Sequence, residues 1–392
     1  MKKIFNIIWH SRATKAIALV ILVSILIKSY EVLINPGTTN YESRNIVDNT
    51  SQINKFEAAE VEISEIPKDE MEKIRSEFPV YGSRKIEQTY LTLPEWYQVY
   101  SYNEFGDFLH SGGRQSDFPF LRSSKNFWSY YRLALKESKD EKFNWQYNFV
   151  TWVIGANLSA EYFIKSVYEN TIGTITQFVS GSDTEADKFI ASSWNNYAKR
   201  MYQTTWYHYP YFDDLRGIWM ETPLFNKSFI RNFERKIAFS ISYLIKGTYA
   251  KIWLLTAAQK ENQTFSIVYA KDKLALENEG VIILKELSDD KYLIQTERYS
   301  GFKEVLLKLI TKDVRFVEIQ GHDVIALSYL SNKKLEPFLD SDGVDILDKR
   351  KLFFEPNGYT HRVTLRANTQ DLKEVIDAIN SNENKFEMIY DF

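Results

Sequence analysis

The residues best suited to acid–base chemistry form one short cluster near the middle of the chain. His208 is followed five and six residues later by Asp213 and Asp214. A histidine beside a carboxylate can act as a general base, because the carboxylate orients the imidazole ring. The same residue types in a loop often form only a helix cap with surface ion pairs. The cluster therefore offers three candidates for catalysis, His208, Asp213 and Asp214. A catalytic role requires that they converge in one cleft.

Two lysines occupy matching positions in two similar segments. Leu158–Tyr168 and Phe239–Tyr249 share Ser, Tyr, Ile, Lys and Tyr at the same spacing, which aligns Lys165 with Lys246. If these segments are helices packed about a pseudo-twofold axis, both ammonium groups can face one cavity. Such a cavity would suit an anionic lipid headgroup or a glycan. The alternative is structural, with Lys165 paired to acids one turn away on its own helix and Lys246 extended to solvent.

Composition and motifs exclude several classes of function. The chain has no H-E-x-x-H, no G-x-S-x-G and no phosphate-binding loop. It has no cysteine, which removes disulfides, thiolate metal sites and cysteine nucleophiles together. The 5 histidines are scattered, so we predict no metal site and no cofactor. A net charge of −3 argues against a nucleic-acid partner, which would require a basic face.

The first 34 residues have the pattern of a membrane signal-anchor. A basic flank precedes the aliphatic run Ala16–Ile27, and no acid occurs before Glu31. Such a flank favours the cytoplasmic side while the apolar segment inserts. The residues from Lys28 onward do not form a small-residue cleavage site, so we predict that the segment is retained. The sequence thus predicts a single-pass protein of the bacterial inner membrane, with the bulk of the chain periplasmic or otherwise extracytoplasmic.

The next two regions differ sharply in composition. Residues 35–80 are polar and acid-rich, and we predict a linker with one solvated helix near its end. Residues 81–262 are rich in aromatic side chains, and we predict a mainly helical domain there. Helices at 149–168 and 237–258 would be apolar on nearly every side, which indicates burial or membrane contact. Their few charged residues favour helices that are buried or lie on the membrane surface over spanning helices.

A near-repeat runs through the aromatic region. An aromatic-proline-aromatic triplet occurs at 118–120 and again at 209–211. In both places a tryptophan follows nine residues after the proline, and the lysine-containing segment comes after that. The repeated order predicts duplication of a helical unit.

Residues 263–392 have an α/β pattern. A strand, a helix and a strand occur between 292 and 319, and the same order recurs between 361 and 390 at an offset of 70 residues. Lys303-Glu304-Val305, for example, aligns with Lys373-Glu374-Val375. Two tandem β-α-β units predict a ferredoxin-like, split-βαβ sandwich, and 331–360 would be an insertion or an extra hairpin. The predicted fold class is therefore α+β.

Four short segments carry a resemblance to a known group of proteins. They are Leu91–Tyr100, Tyr168–Gly173, Arg315–Gly321 and Ile389–Phe392. The chain resembles, over most of its length, an uncharacterised family of bacterial membrane-anchored proteins. The resemblance implies a membrane-anchored architecture. It implies no activity and no catalytic residue.

Two hypotheses of function follow. In the first, the chain is a non-enzymatic envelope protein that binds a partner protein on the periplasmic side and meets the membrane through its N-terminal helix. In the second, it is an envelope hydrolase or transferase that acts on a lipid or glycan, with the His208 cluster and both lysines at one aromatic-lined pocket. Convergence or separation of those residues in the fold distinguishes the two.

Overall fold

The computed structural model describes residues 63–64, 66–82, 86–181, 183–256, 263–277, 280–332, 343–381 and 383–390. The chain is α+β, with a mainly helical domain followed by a domain of two four-stranded antiparallel sheets. The predicted signal-anchor at 1–34 and the acidic segment as far as residue 62 lie outside the described residues.

The helical part contains eight α-helices within the described residues. They are α1 (Lys68–Glu77), α2 (Ile86–His110), α3 (Phe120–Glu137), α4 (Trp145–Tyr168), α5 (Thr174–Ser180), α6 (Glu185–Met201), α7 (Tyr211–Glu221) and α8 (Phe229–Thr256). A π-helical turn, Glu169–Gly173, joins α4 to α5. Both helices predicted to be apolar are present as α4 and α8.

The predicted helical duplication is visible in the packing. Pro119 precedes α3 with φ −81° and ψ 63°, and Pro210 precedes α7 with φ −81° and ψ 61°. A buried tyrosine in each last helix bonds a serine: Tyr162 with Ser101 at 2.8 Å, and Tyr243 with Ser193 at 2.8 Å. The units α2–α3–α4 and α6–α7–α8 therefore use the same internal contacts.

The tryptophans of the repeat make a second matching pair of bonds. Trp128 Nε1 donates to Ser159 Oγ at 2.9 Å, and Trp219 Nε1 donates to Ser240 Oγ at 2.8 Å. Each bond ties the middle helix of a unit to its last helix. The equal spacing from proline to tryptophan in the two copies thus corresponds to the same hydrogen bond between the middle helix and the last helix.

The second domain also consists of two copies of one unit. Its elements are β1 (Gln263–Tyr269), β2 (Val281–Glu286), β3 (Lys291–Glu297), α9 (Ser300–Thr311), β4 (Arg315–Ile319), β5 (Val324–Ser331), β6 (Val344–Lys351), β7 (His361–Asn368), α10 (Leu372–Ser381) and β8 (Lys385–Ile389). Sheet A has the order β2-β3-β1-β4, and sheet B has the order β6-β7-β5-β8. The offset of 70 agrees with the strand register, since Ile319 lies opposite Ser266 and Ile389 lies opposite Leu327.

The single ferredoxin-like sandwich predicted from the tandem β-α-β units is wrong. Each unit builds a separate sheet, because β1 or β5 lies between the two parallel strands of its unit and β2 or β6 extends the edge. The sequence pattern did not reveal β1, because both of its faces are covered and the side chains from Thr264 to Val268 are all buried. A strand buried on both faces loses the alternation by which strands are recognised.

The two sheets enclose their helices in one core. Helix α9 contacts β3 of sheet A and β8 of sheet B, and α10 contacts β4 and β7 in the same way. Val305, Leu309, Val375 and Ile379 are buried in this shared layer. The inner face of each sheet is therefore covered by helices from both units.

The helix predicted near the end of the acidic segment is present as α1, but it packs on the protein instead of being solvated on every side. Helix α1 packs on the outer face of sheet A, with Ile74 fully buried against Ile267 and Leu293. Gly82 and Gly321 touch at this contact, where a Cβ on Gly321 would lie 2.6 Å from the Cα of Gly82. Helix α1 thus exposes most of its charged side chains while it buries Ile74.

The outer face of sheet B packs on the helical domain. The Tyr100 hydroxyl of α2 bonds Ser328 Oγ of β5 at 2.8 Å and donates to the Tyr390 hydroxyl at 3.1 Å. Beneath the Tyr100 ring, Arg362 forms a buried ion pair with Glu387 at 2.6 Å. Met388 and Tyr390 join the aromatic core of the helical domain. The two domains thus share a continuous buried interface.

Candidate functional site

The structure brings the two predicted lysines together. Lys165 of α4 and Lys246 of α8 lie 4.6 Å and 4.5 Å from the centroid of the same indole ring, Trp194 of α6. Lys165 also lies over Phe105, and Lys246 lies over Tyr102 and Tyr197. Ammonium groups over aromatic faces are attracted by the ring quadrupole. We call Lys165, Lys246 and their neighbour Glu161, above Trp194, the lysine site.

Glu161 breaks the symmetry of the lysine site. Its carboxylate lies 2.8 Å from Lys246 Nζ and accepts a hydrogen bond from Tyr102 at 3.2 Å. The matching position in the second repeat is Ser242, which carries no charge. Burial works to raise the pKa of Glu161, but Lys246 and Lys165 outweigh it and hold the pKa below its usual value. The site therefore holds two cations and one ionised carboxylate.

Lys165 is the under-compensated member of the site. Within the part of the chain that the structure describes, no carboxylate lies within ion-pair distance of its ammonium, since Glu161 pairs with Lys246 and Glu169 pairs with Arg235. Burial lowers the pKa of Lys165 to about 8. Glu161 and Glu169 oppose this change, while Lys246 and Arg235 reinforce it. The predicted pairing of Lys165 with acids on its own helix is therefore not the arrangement that forms.

This depressed pKa predicts a pH-dependent stability. Below pH 8 the folded chain keeps Lys165 charged at a cost, while between pH 8 and the ordinary value of 10.5 the unfolded chain binds more protons, so the free energy of unfolding rises with pH. Lys165→Met removes that cost, and we expect it to stabilise the fold at pH 7 by about 1–3 kcal/mol. Urea unfolding at pH 7 and 9.5 measures this, and the gain should shrink at the higher pH. An equal gain at both values would contradict the explanation, and Lys251→Met, at an exposed lysine of α8, is the control.

A buried charge network adjoins the lysine site, and sequence reasoning missed it. Arg235 forms a bidentate bond to Glu169 at 2.7 Å and 2.6 Å, and its Nε lies 3.1 Å from Asp187. Arg231 bonds the same Asp187 at 3.0 Å and lies 3.5 Å from Glu234. We call these two arginines and three acids the arginine network.

The π-helical turn explains how Glu169 reaches this network. Glu169 begins the turn, and Gly173 ends it with its carbonyl accepting from Arg231 at 2.7 Å. Gly173 is required there, because a Cβ would lie 2.4 Å from the Glu169 carboxylate. Burial disfavours the charge on Arg235, but its bonds to Glu169 more than offset this, so the pKa of Arg235 is raised. Single-turn π-helices often mark functional positions.

The two segments that carry the site lysines also expose many large apolar side chains. All but five of the exposed large hydrophobic side chains among the described residues lie in 143–179 and 219–255. Of the exposed positions on α4 none is charged, and on α8 only Lys251 is charged. The matching pair Ile164 and Ile245, each next to a site lysine, are 62% and 64% exposed. We call the exposed residues of these two segments the apolar face.

The catalytic candidates do not converge. Asp214 turns inward, where it accepts from Tyr209 at 2.6 Å and from Ser193. His208 and Asp213 are exposed, and no hydrogen bond or ion pair joins either of them to Asp214 in the described part of the chain. The cluster is therefore a helix-start arrangement in which only Asp214 is held in place.

A second polar cleft lies between the domains. Glu104 accepts from the backbone amide of Phe353 at 2.6 Å, and Arg122 and Arg350 line the same cleft. The space has room for about one water molecule. Such a cleft stabilises the domain contact and is too narrow for an organic ligand.

Among the described residues, no group of three or more His, Asp or Glu side chains is arranged to hold a metal ion. No helix in that part of the chain combines the length and the apolar character needed to cross a membrane. No protein-family model, no curated protein and no solved structure matches the chain.

Proposed function

We propose that the chain is a membrane-anchored bacterial envelope protein whose helical domain rests with its apolar face on the lipid bilayer. In this arrangement residues 1–34 anchor the chain in the inner membrane, and the bulk of it lies on the periplasmic side. The protein then acts by binding rather than by catalysis. The observation that carries the proposal is the apolar face itself.

The extent and composition of the apolar face support a lipid surface as its partner. Soluble monomers rarely expose more than a few hundred Å² of contiguous apolar surface. Here Trp145, Phe178 and Leu255 are 78%, 92% and 87% exposed. Tryptophans near the ends of the face, such as Trp145 and Trp253, are typical of the membrane–water interface.

The N-terminal sequence supports the same partner independently. The apolar run Ala16–Ile27 would hold the chain at a membrane, and the segment from Lys28 to Pro67 then leads to α1. An anchor in the same chain keeps the helical domain close to the bilayer and raises its local concentration there.

The separation of His208, Asp213 and Asp214 supports binding over the enzymatic alternative. A general base needs its partner within hydrogen-bond reach of the same substrate. The exposed His208 and the inward Asp214 do not meet this condition. The two lysines of the envelope hydrolase or transferase hypothesis do meet, but its acid–base cluster does not form in the described residues, which favours binding.

Vesicle flotation tests the bilayer contact. The chain 35–392, without the anchor, should float with neutral phosphatidylcholine vesicles. Phe178→Asp combined with Ile241→Asp should weaken this binding about 100-fold or more, because each buried large side chain contributes about 1.5–3 kcal/mol. The matched control is Leu274→Asp with Ile282→Asp, two exposed residues outside the apolar face that should leave flotation unchanged. A chain 35–392 that stays in the soluble fraction overturns the proposal.

A further inference from the structure

We propose that Lys165 and Lys246 bind the phosphate group of an anionic membrane lipid, at a site that the apolar face places in contact with the bilayer. The inference rests on the bilayer contact proposed above, and it names the ligand that the face selects. The lipid is recognised by its negative phosphate, while its acyl chains lie along the apolar residues beside the site.

The position of the two lysines is the first support. They come from equivalent positions in the duplicated units and meet over one ring, Trp194. The exposed Ile164 and Ile245 adjoin them in the chain. The exposed positions of α4 carry no charge and those of α8 carry only Lys251, so on these two helices the lysine pair is the place where two ammonium groups can meet one anion.

The local charge balance is the second support. Glu161 neutralises one lysine only, and the Lys246 and Glu161 side chains are each 18% exposed, so part of the site reaches solvent. The arginine network has three acids against two arginines, but it is closed on itself. Each of its acids bonds an arginine or a hydroxyl, as Glu234 does with Thr176 at 3.0 Å. An anion at Lys165 would supply the charge that this ammonium lacks.

The aromatic surroundings favour a phosphate over a glycan. Sugars bind proteins by stacking on an open aromatic face. Trp194, Tyr102 and Tyr197 are only 1%, 3% and 4% exposed, and the two ammonium groups already lie over them. No ring of the site is therefore free for a sugar, whereas charge-assisted hydrogen bonds from the lysines remain possible.

Titration with short-chain lipids tests the site. The full chain in neutral detergent is titrated with dihexanoyl phosphatidylglycerol, dihexanoyl phosphatidylcholine and inorganic phosphate, and binding is measured by calorimetry. We expect 1:1 binding of the anionic lipid that is at least tenfold tighter than binding of the other two. Lys165→Met should weaken it tenfold or more, because a charged hydrogen bond is lost. Lys251→Met, an exposed lysine on α8, should change it less than twofold.

A second variant protects the test from a folding defect. Lys246→Met alone leaves Glu161 buried without its partner, so we combine it with Glu161→Gln. The double variant should also lose at least tenfold in affinity while it unfolds at the same urea concentration as the wild type. Equal affinity for inorganic phosphate, or equal effects of Lys165→Met and Lys251→Met, overturns the lipid site.

The outcomes separate the two proposals. Flotation of the chain 35–392 together with an unchanged Lys165→Met variant would overturn the phosphate site and leave the bilayer contact standing. Saturable binding of the anionic lipid without flotation would overturn the bilayer contact instead.

Discussion

Arg235→Met should destabilise the folded chain by about 3–5 kcal/mol, because it removes one partner from a buried set of charges. Arg235 is 2% exposed and holds Glu169 in a bidentate bond. Without it, Arg231 alone would face Asp187, Glu169 and Glu234 in the interior. Urea unfolding followed by tryptophan fluorescence measures the change.

The composition of the arginine network makes this effect asymmetric. Glu169→Gln leaves two arginines facing two acids, so we expect a smaller loss of about 1.5–3 kcal/mol, the value of a hydrogen bond to a charged group. Combining Arg235→Met with Glu169→Met should recover much of the larger loss, since a buried ion pair can be replaced by apolar side chains. The exposed pair Arg114–Asp117 gives the control, where Arg114→Met should cost at most about 1 kcal/mol. Equal losses of stability for Arg235→Met and Glu169→Gln would show that the excess of acids in the network does not determine the cost of removing an arginine.

A periplasm-dependent alkaline phosphatase fused after Phe392 should be fully active, and a cytoplasmic reporter at the same place should be inactive. The basis is the basic flank before Ala16–Ile27, which favours retention of the N-terminus in the cytoplasm. The expected effect is close to all-or-none, because the phosphatase needs an oxidising compartment to form its disulfides. Colony colour and activity in whole cells measure it.

The matched control for the fusion lacks residues 1–34 and keeps every described element. It should give an inactive phosphatase and an active cytoplasmic reporter. Replacing Lys2, Lys3, Arg12 and Lys15 by glutamate should reduce the phosphatase activity of the full fusion, because the charge bias that sets orientation is removed. An inactive phosphatase on the unaltered chain would contradict the anchor and its orientation.

The repeats were predictable from sequence because both copies keep the same residue types at the same spacing along the chain. The shared string around Tyr162 and Tyr243 places each tyrosine at the same turn of its helix, and each meets a serine of its own three-helix unit. The offset of 70 in the second domain was equally visible, since α9 and α10 bury the same helical stripe in one core. Periodicity and repetition are local properties, and sequence records them directly.

Tertiary structure alone decided how the charges pair. On the sequence, Glu161 and Glu169 lie one turn either side of Lys165, and local pairing is the natural expectation. The fold brings Lys246 and Arg235 from α8 instead, and each takes one of these acids. Partners 66 or more residues apart leave no periodic signal, so the under-compensated Lys165 could not be foreseen.

The same reason explains the sheets and the catalytic candidates. Strand β1 joins β3 and β4 through non-local hydrogen bonds, and its burial on both faces hides the alternation that would have revealed it. His208 and Asp213 are near each other along the chain, yet the turn into α7 leaves both exposed and directs only Asp214 inward. The sequence determined which helices and repeats form, whereas the long-range packing determined which side chains meet, because burial and pairing depend on segments that are distant along the chain.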